Sequence, residues 1–150
     1  MVVPETIPAA RLLKSIALLM ERHEVAESRQ VLVEPVDPSL SPHTDPTLIH
    51  RILVNLTKNA LEASPKGEQV SLGAEAWAGG VRFWVKNQAM MPKQVRLQIF
   101  QRSFSTKGAG RGLGTYSVKL ITERYLQGQV SFTSTPEEGT IFYVDLPAAL

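Results

Sequence analysis

The chain contains no cysteine. Disulfides and thiolate zinc sites are therefore excluded. It has no apolar run near the roughly 20 residues that a membrane-spanning helix needs. Its N-terminus lacks the basic flank and apolar stretch of a secretory leader. No block of like charge occurs, so a nucleic-acid arm is excluded. Sixteen Lys and Arg against 14 Asp and Glu give a net charge of +2, spread along the sequence. Histidines number only three, and aromatics make up 7%. What remains is 150 residues, 43% of them hydrophobic. That is enough for one domain with a real core, expected over residues 1–150 with its centre at about 9–147. A cytoplasmic domain is expected, compatible with the cytoplasmic part of a membrane-anchored protein.

Periodicity supplies the elements. Leu12, Leu13, Ile16, Leu19 and Met20 recur at helical spacing and predict a helix over residues 9 to 23. Residues 30–34 read as a short strand. Asp45-Pro46 looks like an N-cap followed by proline at the first helical position. The helix it opens should run to about Ala63, with Leu48, Ile49, Ile52, Leu53, Leu56 and Ala60 inward. Residues 64–67 stop it. Alternation at Val70, Leu72, Ala74 and Ala76, and at Val81, Phe83 and Val85, predicts a hairpin turning at residues 78–80. Residues 92–100 have helical character inside a poorly patterned stretch, 87–114. A connection of that length in a compact domain is commonly a functional lid. Residues 115–127 should form a helix burying Val118, Ile121 and Tyr125. A last hairpin, 130–134 and 140–146, closes the chain. Helices with a mixed, mostly antiparallel sheet in this order imply a two-layer α/β sandwich.

Residues 108–114 read GAGRGLG and run directly into the predicted helix. Glycines let a backbone approach a ligand closely. A helix N-terminus adds free N–H groups and partial positive charge, which suit phosphate. On the earlier apolar helix, Asn55 and Asn59 lie four residues apart and share a face, near Arg51, Lys58 and Glu62. Asparagine is a mediocre helix former. A structural role, bonding a neighbouring loop, accounts for such a pair. So does a metal role, with amide oxygens as hard ligands for Mg²⁺ and Lys58 facing phosphates.

Three motifs together resemble a known family. Residues 48–64, LIHRILVNLTKNALEAS, are similar to the N box of sensor histidine kinases. Residues 99–107, IFQRSFSTK, resemble their phenylalanine box. Residues 108–119, GAGRGLGTYSVK, resemble their second glycine box, and GTIFYVDLP at 139–147 resembles the closing strand. Order and spacing fit as well. The resemblance implies an ATP-binding catalytic domain with the Bergerat fold, shared with DNA gyrase, mismatch-repair ATPases and heat-shock chaperones.

Carried over residue by residue, the resemblance makes Asn59 a Mg²⁺ ligand with Asn55 assisting. Gly110, Gly112 and Gly114 would wrap the phosphates of ATP, and Lys107 and Lys58 would neutralise them. Phe100 and Phe104 would anchor the lid. Glu62, Met91, Thr106, Arg111 and Leu113 complete the implied nucleotide-contacting set. The implied partner is a histidine-bearing dimerisation domain of the same kinase, with a response regulator downstream.

The first glycine box departs from the pattern. The family's Asp-x-Gly-x-Gly is replaced at residues 85–92 by VKNQAMMP. Asn87 takes the aspartate's place, Ala89 and Met90 fall where glycines are expected, and the stretch is one residue short. Asn87 still offers an amide oxygen to the adenine amino group, without charge assistance. An amide can also flip, which would weaken selection against guanine. Met90 and Met91 can pack on the base or on the core. Hydrolytic relatives in this resemblance carry a glutamate four residues before the metal-binding asparagine. Here that residue is Asn55, which is no general base, so slow hydrolysis is expected. His23, His43 and His50 all lack the setting of a phosphoacceptor. Two other readings remain: a degenerate nucleotide-binding or docking module, and an anti-sigma-type kinase of the same fold.

Overall fold

The computed structural model describes residues 1–23, 26–100 and 113–149, with Leu113 described in its backbone alone. The chain opens with β1 (Glu5–Thr6) and α1 (Ala9–Glu21), then β2 (Gln30–Val33) and β3 (His43–Thr44). Next come α2 (Pro46–Ala63), β4 (Gln69–Trp77), β5 (Gly80–Asn87) and the short α3 (Lys93–Arg96). It ends with α4 (Leu113–Leu120), a π-helical continuation (Ile121–Tyr125), β6 (Gln129–Thr135) and β7 (Gly139–Leu146). Among the described residues a five-stranded sheet runs β2-β4-β5-β7-β6, and β1 pairs with β3 separately. β2 is parallel to β4, and every other pair in the large sheet is antiparallel. The expected α/β sandwich with a mixed, mostly antiparallel sheet is what the chain forms.

Helices α1, α2 and α4 pack on one face of the sheet. The core between the layers gathers Leu13, Ile16 and Met20 of α1 with Ile49, Ile52, Leu53, Leu56 and Leu61 of α2. From the sheet come Val70, Leu72, Phe83, Val85 and Val144. Burying such side chains stabilises the fold by about 1.5–3 kcal/mol each.

The predicted start of α2 is confirmed in detail. Asp45 Oδ1 accepts the Leu48 N–H at 3.0 Å, and Oδ2 accepts the Val3 N–H at 2.8 Å. Burial alone would raise the Asp45 carboxyl, but the backbone N–H groups of Val3, Leu48 and Thr47 together with the N-terminal charge outweigh it and hold it below the ordinary carboxylate range. At the far end Ser64 caps the helix: its hydroxyl donates to Ala60 O at 2.7 Å, and Arg29 Nε donates to Ser64 O at 2.7 Å.

Two expected core residues lie outside the core. Leu19 is exposed, and Ala17 takes the inward place beside Ile16 and Met20. Tyr125 is 51% exposed and Ile121 only half-buried, whereas Thr122 and Leu126 are buried. The cause is the π-helical segment. Its Leu126 N–H reaches back to Ile121 O at 3.1 Å, a five-residue step. The wider turn keeps residues four apart in line, so Val118, Thr122 and Leu126 face inward instead. Thr122 is made tolerable there by donating its hydroxyl to Val118 O at 2.7 Å. The helix also starts at Leu113, two residues before its expected start.

Candidate nucleotide site

α2 packs against both β5 and α4, so it sits at the centre of the expected site. Asn55, Lys58, Asn59 and Glu62 are all half-buried. Helical geometry places them on one strip, away from the fully buried Ile52, Leu53, Leu56, Thr57 and Ala60. That strip is the most polar part of an otherwise apolar helix. Among the described residues Lys58 forms no ion pair. Its charge is therefore uncommitted, whereas the amides supply hard oxygen donors suited to a divalent cation.

The end of β5 contributes Asn87, only 4% exposed. It occupies an inward position in the alternation Val81, Phe83, Val85, Asn87. Its register partner in β7 is Thr140, whose partner in β6 is Ser134. All three are polar, buried and in one row across the sheet. Thr140 Oγ1 donates to Ala89 O at 2.8 Å, and Ser134 Oγ accepts the Met91 N–H at 2.7 Å. The two hydroxyls lie 2.9 Å apart. Asn87 Nδ2 faces Ala89 O at 3.5 Å. Met91 is half-buried against the core, and Met90 is 46% exposed.

This network holds the segment that resembles the first glycine box in place without glycine. No residue from 88 to 91 has a positive φ, so the shortened segment needs no left-handed position. The hydroxyls of Ser134 and Thr140 hold its backbone instead. Close approach is provided from the opposite strand: a Cβ on Gly139, whose φ is +74°, would collide with the carbonyls of Asn87 and Gln88.

The approach to the second glycine box is also fixed. Phe100 packs edge-on against Phe132 and Phe142, with ring centroids at 5.8 and 6.0 Å. Thr115, in the first turn of α4, donates its hydroxyl to Ile99 O. The two sides of residues 101–112 are thereby joined. At the start of α4, a Cβ added to Gly114 would meet nothing within 4 Å among the described residues. A helix N-terminus suits a phosphate group. Phe104, Thr106, Lys107, Gly110, Arg111 and Gly112 lie outside the described residues, as does the side chain of Leu113.

Sequence reasoning missed Ser134, Thr140 and Thr115. For the first two the signal was present: each puts a hydroxyl at a strand position where alternation calls for an apolar side chain.

Comparison with known proteins places this arrangement. Residues 44–150 match the model of the histidine kinase-, DNA gyrase B-, and HSP90-like ATPase family. Sporulation kinase A of Bacillus subtilis (strain 168) is 27% identical over 146 residues, covering 97% of this chain and 24% of its own length. The chain therefore spans about a quarter of that relative. A nucleotide-free catalytic domain of the histidine kinase ThkA superposes with a TM-score of 0.86 at 25% identity, covering 98% of this chain and 97% of that one. Full-length ShkA in complex with AMPPNP gives a TM-score of 0.83 at 26% identity, covering 99% of this chain and 32% of that one.

Proposed function

The chain belongs to the histidine kinase-, DNA gyrase B-, and HSP90-like ATPase family, and on that premise we propose that it is the ATP-binding catalytic part of a two-component sensor histidine kinase. The observation that carries the reading is α2 itself. It presents two amides on one strip with a lysine that forms no ion pair among the described residues, on a helix that packs against both β5 and α4. The ThkA and ShkA likenesses support it.

In this reading Asn59, assisted by Asn55, holds Mg²⁺ through amide oxygens. When bound there, Mg²⁺ would supply positive charge to neutralise the phosphates. Lys58, Lys107 and Arg111 add positive charge around the phosphates. Gly110, Gly112, Leu113 and Gly114 bring backbone N–H groups to them. Glu62 and Thr106 complete the polar surround, and Asn87 and Met91 receive the base, with Phe104 and Phe100 anchoring the segment between. Asn55 supplies no base to activate water. The phosphoryl group is thus kept for a histidine on a dimerisation domain of the same kinase, and passes from there to a response regulator. Among the described residues no helix is long and apolar enough to cross a membrane. The proposed setting is the cytoplasmic side of a sensor.

Calorimetric titration with a non-hydrolysable ATP analogue, with and without Mg²⁺, tests the assignment. Saturable binding that requires Mg²⁺ is expected, and Asn59→Ala should abolish it while leaving the domain folded. Full affinity in Asn59→Ala would remove the metal assignment. Absence of any binding at millimolar analogue would favour the docking-module reading, which the altered first glycine box keeps in play.

A further inference from the structure

Both tryptophans of the chain, Trp77 and Trp84, stand on the face of the sheet opposite the helices. Val81, Phe83 and Val85 point inward and join the core with α1, α2 and α4. Trp77, Trp84, Ile141 and Tyr143 alternate with the inward residues of their strands and take no part in that core. A sheet with one solvated face ordinarily turns polar side chains outward. Tryptophan, tyrosine and arginine gathered on such a face are instead the composition of a protein interface centre.

Strand register sets this face out in three rows. The central row is Gly73, Trp84, Tyr143 and Ser131. It is flat, because the Trp84 ring lies over Gly73. One flank is Glu75, Arg82 and Asp145, with the exposed Trp77 stacked on Arg82. Two carboxylates against one guanidinium leave that flank a net charge of −1. The other flank is Leu32, Ser71, Lys86 and Ile141, with Lys86 giving it +1. Among the described residues Lys86 forms no ion pair.

A two-fold axis laid along the central row turns one copy over onto another. Each central row then meets its equivalent, and each positive flank meets the negative flank of the other copy, twice over. The sheets come together in the aligned packing of a β-sandwich, about 10 Å apart. We infer that this face docks a second copy of the chain through such a two-fold, self-complementary contact. The Arg82–Asp145 pair is already closed, so covering it strands no charge. Strand spacing and rise give the face about 500 Å² per copy, or about 1,000 Å² in all. That lies near the lower limit for a specific interface, so the association is weak and reversible. α2 and its asparagines lie on the other side of the sheet, and the contact is independent of the nucleotide reading.

The test is sedimentation velocity on the full chain from about 10 µM to about 1 mM, where a monomer–dimer exchange with a midpoint on the order of 100 µM is expected. Tryptophan fluorescence should shift to the blue over the same range, because dimerisation covers both tryptophans. Lys86→Glu makes both flanks negative, and Glu75→Lys makes both positive. Each alone should weaken self-association by about tenfold or more. An equimolar mixture of the two variants should associate as the unaltered chain does, since each supplies the flank that the other has lost. Glu75 is exposed, so Glu75→Lys keeps the test usable should Lys86→Glu fold poorly. A chain that stays monomeric at about 1 mM would overturn the inference. So would self-association that the folded variants retain undiminished, or a mixture that fails to restore it.

Discussion

At the hairpin end of the β5–β7 ladder, Arg82 and Asp145 face each other across the strands. Arg82 Nε and Nη2 donate to the two carboxylate oxygens at 2.7 and 2.9 Å. Trp77 and Tyr143 sandwich the guanidinium at 3.6 and 4.4 Å from their ring centres. At the other end of the same two strands, on the opposite face, Asn87 and Thr140 are also register partners. They do not bond to each other; both turn to the carbonyl of Ala89. One pair is closed, with its charges matched. The other leaves an acceptor unspent. The Asp145 carboxylate even raises the Arg82 pKa above its ordinary value, mainly through the hydrogen bond between them.

The difference separates a device for stability from a device for recognition. Polar groups that satisfy one another hold strands together and have nothing left to offer a ligand. Polar groups in the inward row displace apolar packing and are retained with capacity to spare. The outward face near the first pair is sealed further, because Trp84 lies directly over Gly73, where any Cβ would strike its ring.

The sharpest break in this comparison would come from Arg82→Ala. It removes two charge-assisted bonds and the stacking on Trp77 and Tyr143. The pair's side chains are 17% and 22% exposed, so solvent screens part of the loss. A stability decrease of about 2–3 kcal/mol is expected, read as a lower urea midpoint. Nucleotide affinity of the folded variant should not change. A parallel fall in affinity would show that the two ends are coupled through the ladder.

Gly139→Ala strikes the recognition end. Its φ of +74° is unfavourable for alanine, and the new methyl would meet the Asn87 and Gln88 carbonyls. A stability loss of more than about 1 kcal/mol is expected. Here affinity for the ATP analogue should fall as well, because Asn87 must move. Weakened stability with unaltered affinity in a folded Gly139→Ala would blur the distinction between the ends.

Much of this was legible beforehand, and the exceptions have physical causes. The N-cap at Asp45, the run of α2 and the pairing of β4 with β5 followed from local rules that tertiary packing did not override. The inward faces of α1 and α4 did not follow completely. Leu18 and Leu19 are adjacent apolar residues on the outer side of α1, and a pattern of apolar residues cannot say which of several lies inside. The π-helical turn changed the period after Leu120, which no 3.6-residue template detects. At the site, Asn55, Asn59 and Asn87 could be picked out because polar side chains stand where packing disfavours them. Ser134 and Thr140 carry the same signal one by one, but their alignment with Asn87 depends on strand register between residues about 50 positions apart in sequence.

A smaller effect sharpens the comparison from outside the ladder. Asp45 carries a charge that bonds inward, as Arg82 does, but it anchors the helix bearing Asn55 and Asn59. Its folded pKa lies below the ordinary 3.8. The stability this contributes is therefore fully present above the unfolded value and is lost as pH falls through the folded one. Asp45→Asn keeps an oxygen for the Leu48 N–H but sets its NH2 against the Val3 N–H, so near neutral pH it should cost about 1 kcal/mol. Below the ordinary 3.8 the gap between the two proteins should narrow, closing once the pH has fallen through the lower folded value. Urea midpoints at about pH 6 and about pH 3 measure both values. If the cap, like the Arg82 pair, serves stability alone, nucleotide affinity at neutral pH will be the same in both proteins. A drop in affinity would instead mean that the Asp45 cap sets the pitch at which α2 presents its two asparagines, placing a second stabilising charge on the recognition side.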